Sequence, residues 1–307
     1  MSKAKIIRRK IRYAIVYRFV QFLMWLSART PRQAWLKFCG FLGSIAYYFA
    51  SKTRKLTKKH LAIAFPNKTA DEVTSLSKRV FKYLGKNAGE MLRASATLET
   101  LADLDKILVV HGFEHYEKAR EKNKGVIFLT CHLGAFDLQV TVMALRGLNP
   151  NIIGTPLKDP RLNELLWRYR NKHGAIAIER GRETFRMIKI LKSAGSIALL
   201  IDQDTKVKSR FVNFFGKPAA TPVGATVLAM KTGASIVPTY IYLGEDGMQH
   251  MNIMPEVELR ITGDEEVDMV YNTQVLTKIN EDQIRQHPEQ WVWMHERWKT
   301  KPGQEIQ

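Results

Sequence analysis

From residue 125 onward, short apolar runs alternate with helical stretches, and this alternation confines the chain to an α/β architecture. The run 125–130, Gly-Val-Ile-Phe-Leu-Thr, reads as a buried strand, and 135–145 after it reads as a helix. Further strands are expected at 151–155, 174–178, 196–201 and 234–242, with helices over 160–172 and 184–194. A Gly-Glu-Asp-Gly turn follows 242 and leads into 251–259, which predicts a late antiparallel hairpin. The expected fold is a single largely parallel, mixed sheet flanked by helices.

Polar residues gather where these strands end. His132 lies in the turn between the first strand and its helix, and Asp137 follows five positions on. On one regular helix two such side chains would point roughly 140° apart. With His132 in the turn and Asp137 in the first helical turn they can meet. Asp137 would then fix the imidazole tautomer, leaving the other nitrogen free to take a proton from a hydroxyl. The competing reading is a core histidine beside an aspartate favoured by the helix dipole. Arg180, Asp202 and Gln203 fall at other strand ends, and such ends share a crevice in a parallel sheet. That convergence favours the functional reading.

The charge of +19 is concentrated in one place. Residues 1–70 hold sixteen Lys and Arg and no acid, so the remainder, with thirty-two bases against twenty-nine acids, is nearly neutral. The basic segment is also apolar, over 13–28 and 34–50. Each stretch makes roughly 24–26 Å of helix, against about 30 Å for a bilayer core. Basic residues, aromatics and an apolar stripe together describe helices lying in or dipping into an anionic membrane surface, a span by the first being the alternative. Cationic Lys3, Lys5, Arg8, Arg9, Lys10 and Arg12 assign that end to the cytoplasmic side. The bases flank apolar runs instead of decorating a soluble face, which argues against nucleic acid. Residues 1–60 are therefore read as a membrane-binding region and 61–307 as the catalytic domain. Within the latter, 55–65 and the stretch opened by Thr69-Ala70-Asp71-Glu72 read as helices.

Several chemistries lack their signatures. The chain has no Gly-x-Ser-x-Gly elbow, P-loop or Gly-x-Gly-x-x-Gly. His111 and His115 have zinc-helix spacing but no third ligand, and no metal is expected. Cys39 and Cys131 are too few and too distant for a disulfide framework, and Cys131 belongs to a strand end. A histidine without a nucleophile of its own suits direct transfer, in which the acceptor supplies the hydroxyl.

At these residues the chain resembles the glycerolipid-type acyltransferases. His132-x4-Asp137 matches their first motif; Gly174 to Arg180 and Ile236-Val237-Pro238 resemble two others. Asp202-Gln203-Asp204-Thr205 stands where a Glu-Gly-Thr-Arg motif is usual. That departure, with residues 211–221, 288–300 and Leu61-Ala62-Ile63-Ala64-Phe65-Pro66, is similar to the bacterial lipid A biosynthesis acyltransferases. That branch commonly has Asn-Trp-Glu where this chain has Ala135-Phe136-Asp137.

The resemblance implies a fold like that of glycerol-3-phosphate acyltransferase. It implies an acyl carrier protein or coenzyme A thioester as donor, and an anionic glycolipid acceptor at the cytoplasmic face of the inner membrane. The thioester is a substrate, and no cofactor is implied. His132 would act as general base and Asp137 as its orienting partner. Arg180 would bind a phosphate or help stabilise the developing oxyanion, Arg161 would be a second candidate for acceptor phosphate with a solvated helix face as the alternative, and Asp202 and Gln203 would shape the pocket. A different glycolipid or lysophospholipid acceptor, or an inactive scaffold of the same fold, are the alternatives.

Overall fold

A computed structural model describes residues 3–154, 156–179 and 184–306, with side chains from residue 8 onward except that of Glu179. Strand β1 (Leu108–His111) lies at one edge of a seven-stranded sheet. It is followed in space by β9 (Gln249–Ile253), β8 (Ser235–Leu243), β2 (Val126–Thr130), β5 (Ser196–Leu200), β3 (Asn151–Gly154) and β4 (Ile176–Glu179). From β8 to β4 every pairing is parallel; β9 runs antiparallel to β8, as the turn at 244–247 predicts. The expected strands are all present, most with ends displaced by one or two residues, whereas the last, expected over 251–259, spans Gln249–Ile253 and stops six residues early.

The central strand β2 is buried along its whole length. Val126 and Phe128 face a cluster with Tyr116, Leu138, Val142 and Ala198, whereas Ile127 and Leu129 face Leu191, Ile197, Leu228 and Leu276. Two-residue alternation with both faces apolar is what a strand covered by helices on both sides requires. Helices α6 (Phe113–Glu121) and α7 (Leu138–Leu145) cover the first face. Helices α9 (Thr184–Lys192), α10 (Gly224–Thr232) and α11 (Glu265–Gln286) cover the second. A short helix, α5 (Leu101–Asp105), precedes β1, and α8 (Pro160–Asn171) joins β3 to β4.

Several elements go beyond the sequence expectations, among them a hairpin and the last helix. Strands β6 (Ser209–Phe214) and β7 (Lys217–Pro222) form a separate antiparallel hairpin, turned by Phe215 and Gly216, both at positive φ. Helix α11 buries a largely polar face that includes Asp268, Asn272, Thr273, Thr277 and Asn280. Its apolar period is therefore weak.

The basic N-terminal segment forms α1 (Lys3–Arg29), α2 (Arg32–Phe49) and α3 (Ser51–Ala64), and then α4 (Ala70–Thr97). The expected start of α4 is a full capping box: Thr69 Oγ1 accepts from the Glu72 N–H, and Glu72 accepts from the Thr69 N–H. The corner between α1 and α2 is fastened to the body. Arg32 forks onto the fully buried Glu90 of α4 at 2.5–3.0 Å and reaches the Gly247 carbonyl at 2.6 Å. Gln249 of β9 donates to the same carboxylate at 3.1 Å. Arg93 donates to the carbonyls of Ser27 and Thr30, closing the end of α1. Away from this corner, α1 exposes Ile11, Ile15, Phe19 and Phe22, and α2 exposes Phe38, Phe41, Ile45 and Phe49. Both sets recur at helical spacing. No helix among the described residues is long and apolar enough to cross a membrane.

Truncating one partner of a buried pair leaves the other charge uncompensated. Glu90→Ala is expected to lower unfolding stability by about 3–5 kcal/mol, measured by urea denaturation.

Candidate active site

The C-terminal ends of β2 and β5 lie side by side, and the site is built on them. After Thr130 the chain leaves the sheet through Cys131-His132-Leu133-Gly134. Gly134 has φ +60°, and a Cβ there would sit 2.3 Å from the Ile241 carbonyl, so only glycine fits this turn. The turn is held from the far end of the chain: the Gly134 N–H donates to the Gln290 carbonyl, and Leu133 bridges Trp291.

His132 is partly buried, with its side chain 22% exposed. Its Nδ1 lies 2.8 Å from Asp202 Oδ1, and its own backbone N–H donates to Asp202 Oδ2 at 2.9 Å. The Trp291 indole N–H donates to the same Oδ2 at 2.7 Å. Burial alone would raise the Asp202 carboxyl; the adjacent His132 ring, the His132 bonds and the Trp291 bond outweigh it and hold the group below the usual aspartate range. With a hydrogen on Nδ1 directed at a carboxylate, the basic lone pair sits on Nε2. Nε2 has no protein partner among the described residues, and His132 lines a pocket of about 330 Å³.

Asp137, expected to orient His132, does something else. It stands one residue before α7, and its carboxylate takes Arg170 Nε at 3.0 and 3.3 Å and Arg170 Nη2 at 3.0 Å. The carboxylate bonded to His132 is instead Asp202, which the sequence reading had shaping the pocket. The reason is geometric: adjacent strands carry His132 and Asp202 to one point, whereas the turn carries Asp137 toward α8. Arg170, within the helix expected over 160–172, is a pocket residue that the sequence reading did not single out. Its Nη1 lies over Gly154, where a Cβ would come within 2.7 Å, and it has no other partner among the described residues.

Gln203 lines the pocket beside Asp137 and Arg170, with Phe136, Val140, Met143 and Leu166 as apolar wall. Arg161 stands elsewhere: it pairs with the buried Asp159 at 3.3 Å and covers the Tyr17 ring of α1 at 5.3 Å. Arg180 lies outside the described residues. Trp291 and Trp293 are core residues, and Trp291 also reaches the site through its bond to Asp202. Cys131 is fully buried; burial, then the Asp202 charge, push its thiol well above the usual cysteine range, so it is no ready nucleophile.

An imidazole held by one carboxylate, an arginine held by another and an apolar wall meet in one pocket at the C-terminal edge of the sheet. The profile of the bacterial lipid A biosynthesis acyltransferases matches residues 1–300, and the chain belongs to that family of enzymes. The chain is 28% identical to the lipid A biosynthesis palmitoleoyltransferase of Escherichia coli (strain K12), covering 91% of this chain and 90% of the relative. It is 26% identical to the lauroyltransferase of the same organism, over the same shares of each. It is 25% identical to the phosphatidylinositol mannoside acyltransferase of Mycobacterium tuberculosis (strain ATCC 25618 / H37Rv), over 62% of this chain and 60% of that one.

Removing the carboxylate that orients the base is expected to cost about 10²–10⁴ in turnover, so Asp202→Asn should fall by that factor in an acyl-transfer assay. A carboxyl depressed by folding stabilises the protein above the unfolded pKa of about 3.9 and loses that effect as pH falls through its lower folded value. The stability gap between wild type and Asp202→Asn should therefore be constant at neutral pH and close on acidification below about pH 4, read from melting curves.

Proposed function

We propose that this acyltransferase moves a fatty acyl chain from an acyl carrier protein or coenzyme A thioester onto a hydroxyl of an anionic glycolipid, a lipid A precursor. The names of the relatives in two glycolipid pathways support the acceptor class. The observation that carries the mechanism is the Asp202–His132 pair with Nε2 facing an apolar pocket. His132 Nε2 takes the proton as the acceptor oxygen forms its bond to the thioester carbonyl carbon. The carbonyl electrons move onto oxygen, where Arg170, held by Asp137, stabilises the oxyanion. Collapse re-forms the carbonyl and breaks the C–S bond. The leaving sulfur takes the proton from His132, giving ester and free thiol. The chemistry is complete with these groups and calls on no cofactor. Gln203 bounds the reacting centre. Arg161 is shared between Asp159 and Tyr17 and braces α8 on α1. Arg180 keeps the phosphate role that the family resemblance implies.

The exposed apolar rows of α1 and α2, flanked by Arg8, Arg9, Lys10, Arg12 and Lys37, support seating at the cytoplasmic face of the inner membrane. Each exposed aromatic contributes by burial in the acyl boundary, and the cations by attraction to anionic lipid. In vesicle sedimentation the chain should bind anionic bilayers more strongly than neutral ones. Phe41→Asp with Phe49→Asp should weaken both while leaving the melting temperature unchanged, because both side chains are exposed.

Direct transfer makes a further demand. Incubation with labelled donor alone should give no acyl adduct in the intact mass, and Cys131→Ala should keep turnover apart from a packing cost. Mixing donor and lipid A precursor with the purified chain tests the reaction itself; absence of an ester product from either donor would overturn it.

A further inference from the structure

A second cavity lies on the other face of the sheet. Its volume is about 390 Å³. Met187 and Ile188 of α9, Val227 and Leu228 of α10, and Leu199 and Ile201 around the end of β5 form its walls. Lys208 and Lys231 line it as well, both exposed and neither ion-paired among the described residues. Ile153, Leu199, Leu200 and Thr205 belong to this cavity and to the His132 pocket alike. The two hollows therefore meet over the ends of β3 and β5, beside the reacting centre.

Protein interiors close to crystal-like density, so an apolar hollow of this size is space left for an apolar ligand. Cations at an apolar slot fit a chain that ends in an anionic group. Direct transfer also requires donor and acceptor to be bound together. The first pocket carries the imidazole and Arg170, the groups that meet the thioester carbonyl. A lipid acceptor brings hydrocarbon of its own, which needs separate apolar room next to that carbonyl.

We propose that the cavity between α9 and α10 holds one hydrocarbon chain of the acceptor lipid, with an anionic group of that lipid against Lys208 and Lys231. This rests on the transferase reading above. The donor chain lies on the α7 side of the sheet and the acceptor chain on the α10 side, and they meet at the edge that carries His132. Acceptor choice is then set partly by Val227 and Leu228, far in sequence from the catalytic motif.

The test uses the full chain, with Val227→Trp to fill the cavity from a partly exposed position and Lys208→Glu with Lys231→Glu to invert its charge. Steady-state kinetics are measured separately for donor and acceptor. Each variant should raise the acceptor KM by about tenfold or more, the scale of lost contacts in an apolar pocket, with the donor KM unchanged. A rise in donor KM alone, or in neither, overturns the proposal. Titration with dodecyl phosphate, with dodecanol as the uncharged control, reads the cavity without turnover. Wild type should prefer the phosphate, and both variants should lose that binding. If wild type binds dodecyl phosphate in this way yet transfers no acyl group, the reaction reading fails and the cavity stands. If wild type transfers and the surface-charge variant, which leaves the core untouched, changes neither KM nor phosphate binding, the cavity reading fails.

Discussion

A buried carboxylate with three hydrogens directed at it holds the catalytic edge together. Asp202 accepts the backbone N–H and the ring Nδ1–H of His132 and the indole N–H of Trp291. An unpaired charge at that depth would be prohibitive, so the three donors must all be in place when the carboxylate is ionised. They come from the end of β2 and from a segment near the C-terminus, while Asp202 itself follows β5. One ion thereby ties together three stretches of chain that are remote in sequence. The His132–Asp202 pair is fully bonded only with Trp291 packed beside it, so folding and the geometry of the pair are linked. Arg297 adds to this closure: it is fully buried, donates to the Ala220 carbonyl and to Thr221 Oγ1, and covers the Phe214 ring at 4.9 Å.

The second polar pair has a different logic. Asp137 and Arg170 are each partly shielded and joined by a fork of bonds, which fixes a guanidinium without neutralising all its donors. The His-x4-Asp spacing is therefore a spacing between two devices, the imidazole bonded to Asp202 and the carboxylate that holds Arg170. Shortening Glu to Asp at the second position acts on the reach of the arginine, not on the tautomer of the histidine.

Much of this was legible in the chain and some was not, for physical reasons. Residues 126–130 alternate between two apolar faces, which announces a covered strand, and the next residue but one is the histidine. The partnership of His132 with Asp202 obeys no spacing rule, because it depends on β5 lying beside β2, a matter of sheet order. A strand-end acid next to a strand-end histidine was visible only as two members of one crevice. Arg170 was not singled out within the helix expected over 160–172, since it is set apart from Arg168 by burial, which sequence does not carry. Helix α11 hid because its inward face is amide and hydroxyl instead of aliphatic. The helices of the basic N-terminal segment were plain, since their apolar residues recur at helical spacing.

The corner at Arg32 carries a consequence of its own. Because Glu90 joins that arginine to α4 and, through Gln249, to β9, the exposed apolar rows beside the corner cannot swing freely relative to the sheet. Whatever surface those rows rest on, the line of strand ends stands above it at one height and one tilt. Depth then becomes a quantity the molecule can discriminate. On a lipid layer, the surface proposed above, two hydroxyls of identical reactivity that differ only in their distance from its plane would be unequal to a body mounted in this way. A single ion pair between helices sets the gauge.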